Sequence, residues 1–405
     1  MTETCDGEKV SSRPRAPRGL PPMVVAIAAT TIGQLPVFLT GALAVQIGHD
    51  MALPASRLGI VVAAFFASSA LCSAGLGRLS DRLGGTRMMR LGIVPAVAAL
   101  LWIGLGVHRW GELVPALVIA GVANGAIQPA ANRYLARTVG DDRQGFAFGV
   151  KQAAIPAATL LSGLAVPAVG ATVGWRWAYL GAAVLAVAVG ALIPRRGRAG
   201  VIVRTVPDGA PPEPRTFARS ALIILAIGVG MGSAAANALG SFFVLSAVHI
   251  GVSDSHAGLT AAAGSVVSLV VRLGIGFRAD RRSSGHLRLV SGLCACGAIG
   301  LLLLALGAGP LLVPAAVIGY GVGWGWAGLF NFAVVRTHPT VPGRATGLTQ
   351  VGASSGACLG PLGFSIVATH LGYPSAWVFG AALLLAAGAV ILVGRRALYA
   401  AGVVG

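Results

Sequence analysis

A glycine-flanked, arginine-rich aspartate motif occurs twice, half a chain apart, each time at the end of a long apolar run. Gly77-Arg78-Leu79-Ser80-Asp81-Arg82-Leu83-Gly84 closes one run and Gly276-Phe277-Arg278-Ala279-Asp280-Arg281-Arg282 closes another, so the two aspartates stand 199 residues apart in a chain of 405. A charged turn that recurs at half-length between apolar runs leaves few folds open. It describes a membrane protein built by duplication. Other positions keep the register: Asn132, Arg137 and Thr138 match Asn331, Arg336 and Thr337 at the same offset, and Gly181-Ala182-Ala183 matches Gly380-Ala381-Ala382. Gly149 and Gln152 match Gly347 and Gln350 at 198, and Arg195-Arg196 matches Arg395-Arg396 at 200. Each match is weak where glycine and alanine abound; their shared register is not.

Composition agrees. The chain is 56% hydrophobic and only 10% charged, against roughly 25% charged residues in soluble domains. A formal charge of +18 would suit nucleic acid if it formed a patch, but the basic residues sit between apolar runs of about 20 residues, each long enough to cross a bilayer. No nucleic-acid partner is expected; the partner is the lipid bilayer. The runs number twelve: 22–46, 57–77, 89–107, 112–135, 145–170, 176–194, 220–247, 255–277, 288–307, 310–335, 345–369 and 374–394. The expected fold is therefore all-α and polytopic, with six spans in 22–194 and six in 220–394. A linker over 195–219, carrying Pro-Asp-Gly and Pro-Pro-Glu-Pro, is too polar to cross and too proline-rich for a long helix. Residues 1–21 and 395–405 read as tails, the first of them disordered.

Orientation follows from the arginines. With the N-terminus inside, 26 of the 30 basic residues fall in cytoplasmic segments, leaving Arg57, Arg109 and Arg176 outside and Lys151 within a span. The positive-inside bias thus puts both termini in the cytoplasm, in a plasma (inner) membrane. The apolar stretch from Met23 to Val45 outruns a signal-peptide core of about 7–15 residues, so it reads as an uncleaved first span. The five cysteines show no metal-ligand spacing, and neither a metal nor a cofactor is expected.

The first motif is the most specific signal. Gly77, Leu79, Asp81, Arg82, Gly84 and Arg87 match the Gly-x-Leu-x-Asp-Arg-x-Gly signature between spans 2 and 3 of the major facilitator superfamily, which the chain resembles over all twelve spans. Gly85-Thr86 replaces the usual basic residue after the second glycine, and the second copy (Gly276, Asp280, Arg281) is degenerate, as in the family. Arg143-Gln144-Gly145-Phe146-Ala147-Phe148-Gly149 is similar to the start of span 5 in organic-anion and cyanate-type permeases. The resemblance implies two pseudo-symmetric six-helix bundles, a secondary transporter working by alternating access, and a gating role for the signature. Asp81 would accept hydrogen bonds from a facing helix N-terminus near Arg344–Thr346. The opposing reading makes this turn a positive-inside anchor alone, which arginine would satisfy without an aspartate.

The resemblance also implies that spans 1, 4, 7 and 10 line a central cavity. Span 4 carries Asn124, Gln128 and Asn132 at i, i+4 and i+8, one above another on a helix face. Gln34 lies near mid-depth of span 1, Asn237 in span 7, and Trp324 and Asn331 in span 10. Amides facing lipid are costly, so these either meet substrate or tie helices together at about 0.6–2 kcal/mol each. Lys151, followed by Gln152, is one of two lysines and lies about 9 Å into span 5 by helix rise. It either snorkels to the interface or attracts an anion. Arg272, one turn above the second motif and in line with Ser265 and Ser268, is a second candidate cation, whose structural reading outweighs a binding one.

The acidic inventory favours an anionic solute. None of the twelve acidic residues is mid-span, and Glu112 comes nearest. The family's arginine early in span 4 is replaced by Leu117-Val118-Ile119. This disfavours proton-driven cation efflux, while coupling through Glu112, Asp81 or a protonated substrate stays open. There are no paired carboxylates, no His-x-x-x-His and no nucleophile beside a base, so the chain is not expected to be an enzyme. The expected partners are a small anionic substrate and a coupling ion. The competing function is multidrug or neutral-metabolite efflux. Twelve spans complete a pathway, so a monomer is expected.

Overall fold

The computed structural model describes residues 20–52, 54–139, 144–195, 218–279, 285–338 and 342–403. The linker, most of the N-terminal tail, Asp280 and Arg281 lie outside the described residues, as does the side chain of Arg344. Everything described is helix or turn: α1 (Pro22–Ala42), α2 (Ala44–Met51), α3 (Ala55–Leu83), α4 (Gly85–Leu105), α5 (Leu113–Thr138), α6 (Gln144–Gln152), α7 (Ala154–Ala165), α8 (Trp175–Leu192), α9 (Arg219–His249), α10 (Asp254–Ala279), α11 (His286–Ala305), α12 (Leu312–Ala316), α13 (Trp326–Thr337) and α14 (Pro342–Ala400).

Among the described residues, eleven helical segments are long and apolar enough to cross a membrane. The last covers 56 residues, far beyond the roughly 20 that one crossing needs. Its path breaks at Gly372, whose φ of 81° and ψ of 165° no helix contains. Glycine alone takes that conformation without strain. The sides turned outward are apolar: Leu71, Val94, Leu105, Val184, Val270 and Leu359 are all exposed. Buried serines, threonines and amides occupy the interior instead. An oily exterior around a polar centre is what a bilayer solvent selects.

Two expected single spans are irregular. Span 5 is α6 and α7 with an interruption at Ala153 and a π-helical turn over Val166–Gly170; span 10 is α12, a π-helical turn over Val317–Val322, a short turn and α13. Such interruptions are tolerated within membrane proteins where other groups satisfy the freed backbone, and π turns gather at functional sites.

The two sequence halves meet along three seams. In the first, α7 runs antiparallel to α10: a Cβ on Gly163 would lie 2.6 Å from the Gly258 carbonyl oxygen, and Thr159 Oγ1 and Ser265 Oγ are 2.7 Å apart. In the second, α3 meets α14, where a Cβ on Gly59 would strike the Ser365 side chain and Cys358 Sγ lies 3.6 Å from the Ala63 carbonyl. In the third, α1 meets α9, and a Cβ on Gly41 would lie 2.8 Å from Ser241 Cα. Small residues permit this closeness. All the glycine contacts lie toward the face opposite the Asp81 turn, and there Gln46 Nε2 also donates to Asp254 Oδ2 at 2.9 Å.

Candidate functional site

The signature is mostly helix, not loop. Residues 77–83 form the last turns of α3, and only Gly84 leaves it, with φ 88°. Any side chain there would be strained. Asp81 pairs with Arg133 Nη1 near the end of α5, a partner within its own half. Arg82 and Arg87 are exposed. The motif therefore clamps the ends of α3 and α5, and Gly77 packs near Pro129 of α5.

The polar centre is built on a backbone defect. Pro156 has no N–H, so the carbonyl of Gln152, four residues earlier, has no intrahelical donor. That orphan sits at the interruption between α6 and α7. Arg272 of α10 supplies the missing donor: Nη1 bonds the Gln152 carbonyl at 2.7 Å, and Nη2 bonds the carbonyl of Trp324 at 2.6 Å. Trp324 lies in the short turn between the π turn and α13. A single guanidinium thus joins the irregular points of spans 5 and 10 across the seam.

Lys151 immediately precedes that joint. It is only 5% exposed, and its ammonium donates to Gln128 Oε1 rather than reaching the interface. Gln128 Nε2 in turn approaches Asn124 Oδ1 at 3.4 Å, and Asn124 Nδ2 donates to Ser69 Oγ at 2.8 Å. The chain of contacts links α6 through α5 to α3. Among the described residues the ion pairs are Arg133–Asp81 and Arg176–Asp50, so no described carboxylate pairs with Lys151 or Arg272. Arg272 spends its Nη donors on two carbonyls; Lys151 faces a neutral amide. An unpaired cation at bilayer depth costs about 2.5–3.5 kcal/mol even on lenient scales.

Several buried polar atoms nearby in the helical order have no partner: Thr30 Oγ1 and Gln34 Oε1 on α1, Ser268 Oγ and Arg272 Nε on α10, and Trp326 Nε1 on α13. Buried polar atoms are otherwise almost always paired. α1 comes close to the amide row, since a Cβ on Gly33 would lie 3.0 Å from Asn124 Oδ1, and Thr31 Oγ1 lies 3.4 Å from the Ala154 carbonyl. Spans 1, 4, 5, 8 and 10 therefore all bring polar groups inward.

The other expected site residues divide. Asn237 is buried but donates to the carbonyl and hydroxyl of Ser233 within α9, while Ser233 Oγ bonds the Ala353 carbonyl and so ties α9 to α14. Trp324 packs edge-on against Phe38 at 5.7 Å and near Tyr320 at 5.8 Å, with its ring against Gly240. It forms an aromatic wall toward the closed face. Gln152 and Asn331 are half-buried, and Asn132 is exposed. The row 124, 128, 132 thus runs outward from the buried centre. Ser69, Arg133 and Phe38 escaped the sequence reading: a serine, an arginine and a phenylalanine in such spans carry no signal until their partners are known. Pro156 escaped it too, although a proline four residues after Gln152 is the signal of a broken helix bond.

These features define a class: a multi-pass helical membrane protein with polar groups gathered where the two halves of the sequence meet. The chain belongs to the Major Facilitator Superfamily, whose family model matches residues 24–361. It is a secondary transporter of small solutes. No curated protein matches the chain.

Proposed function

We propose that the chain carries a small organic or inorganic anion across the plasma membrane by alternating access, with twelve crossings in two six-helix lobes and both termini in the cytoplasm. The break at Gly372 supports counting α14 as two crossings. The observation that carries the substrate class is Lys151, a buried cation with an amide for a partner. An anion entering from the Asp81 face would exchange the Gln128 carbonyl for its own charge on the ammonium. Gln128 would then be free to donate to the same ligand, and Asn124, Gln34 and Trp326 supply further polar groups.

In this cycle the glycine seams and the Gln46–Asp254 hydrogen bond close the far face while substrate enters from the other side. Asp81 with Arg133, together with Gly276, Asp280 and Arg281 in the second copy, would govern the near face. The test is a ligand screen on the purified chain by thermal stabilisation, followed by flux in proteoliposomes. Small carboxylates or cyanate-like anions should stabilise the protein and be transported. Stabilisation and flux confined to lipophilic cations or neutral drugs would replace this reading with efflux.

A further inference from the structure

Away from the seam, α11 and the C-terminal end of α14 line an open groove of about 720 Å³ at the protein's perimeter, a size within the range of ligand sites, about 300–1,000 Å³. Its mouth carries Arg288, Arg395 and Arg396, and its walls are apolar, with Gly292, Leu385 and Ala389 among them. No described carboxylate pairs with any of the three arginines; Arg395 leans on Tyr399, 3.1 Å from its hydroxyl. The charged end is at the α11 N-terminus, on the Asp81 side. By helix rise the wall runs about 10 Å from Arg288 to Ala295, from the interfacial zone into hydrocarbon depth.

Gly292 stands in this wall, exposed, with no atom within 4 Å of where a Cβ would be.

We infer that this groove holds an anionic phospholipid, with its phosphate among Arg288, Arg395 and Arg396 and one acyl chain along the wall opened by Gly292. The sign of the mouth and the apolarity of the wall select this occupant over a zwitterionic lipid. Each arginine near an anionic surface is worth about fivefold in affinity, so three give a preference of up to about a hundredfold.

The full chain in detergent is exposed to phosphatidylglycerol, phosphatidylcholine or inorganic phosphate, and retained lipid is counted by native mass spectrometry. Wild type should retain phosphatidylglycerol over phosphatidylcholine by tenfold or more. Gly292→Ile should abolish that retention with unchanged thermal stability in lipid-free detergent, since the new side chain enters open space. Arg395→Gln with Arg396→Gln should lower retention about 25-fold while leaving the groove open. Equal retention of the two lipids overturns the inference, as does a Gly292→Ile variant that still selects phosphatidylglycerol. Inorganic phosphate that displaces the lipid headgroup in wild type but binds Gly292→Ile equally well would mark an anion site without a lipid, and overturn it too.

Discussion

Replacing Lys151 by glutamine separates binding from stability, because the two should move in different directions. In the bound state the ammonium would meet a formal charge instead of the Gln128 carbonyl. At about 4 Å and an effective dielectric near 20, the Coulomb attraction is about 4 kcal/mol; after desolvation and loss of the Gln128 bond, the net value of a charge-assisted hydrogen bond is about 1.5–3 kcal/mol. Anion affinity in Lys151→Gln should therefore fall about 10- to 150-fold, read by titration calorimetry with the stabilising anion. Stability of the free protein should hold or rise. The variant removes a buried cation costing about 2.5–3.5 kcal/mol, and its new amide still donates to Gln128. Lys151→Arg, which keeps the charge, should retain part of the affinity. If affinity is unchanged while the free variant melts well below wild type, Lys151 is a structural tie to Gln128 and the anion reading fails.

Asp81→Asn removes an ion pair whose carboxylate is 68% exposed, so stability should change by less than about 1 kcal/mol; proteoliposome flux should drop, and undiminished flux would leave the motif as an anchor. Gln46→Cys with Asp254→Cys, in a background without native cysteines, should be bridged across this contact by a short reducible bifunctional thiol reagent and arrest flux reversibly. Continued transport after complete cross-linking would show that the far-face contact does not have to open.

Much of this architecture was legible because a bilayer makes sequence unusually informative. Apolar runs marked the helices to within a few residues: 219–249 was expected as 220–247, and 254–279 as 255–277. The i, i+4 spacing of Asn124 and Gln128 placed both amides on one face, and Lys151 stood out as a charge out of place. What one dimension concealed was pairing. Asp81 and Arg133 lie 52 residues apart, and nothing in the motif pointed to α5 as a partner. Trp324 reads as an indole of span 10 facing the cavity, and its packing against Phe38 of the other half is not legible in the sequence. Span 11 and span 12 read as separate runs, while the backbone stays helical on both sides of a single glycine.

The bond between Arg272 and Gln152 crosses the seam, while the bond to Trp324 stays within the second half. Any rocking of one lobe against the other must break the first and can keep the second. Breaking it would leave a carbonyl that Pro156 has already deprived of its helical donor, at a cost of about 1–3 kcal/mol. Proline therefore makes the arginine necessary. Pro156→Ala gives residue 156 an N–H that can reach the Gln152 carbonyl, and the contact with Arg272 then becomes dispensable. In wild type, Arg272→Lys should destabilise by about 2–3 kcal/mol, since one ammonium cannot span both carbonyls with the reach of a guanidinium. In the Pro156→Ala background the same substitution should cost at least about 1 kcal/mol less, a coupling that a double-mutant cycle of detergent unfolding resolves. Strictly additive effects would mean that the broken helix bond and the guanidinium are unrelated, and that Arg272 is retained for its charge instead.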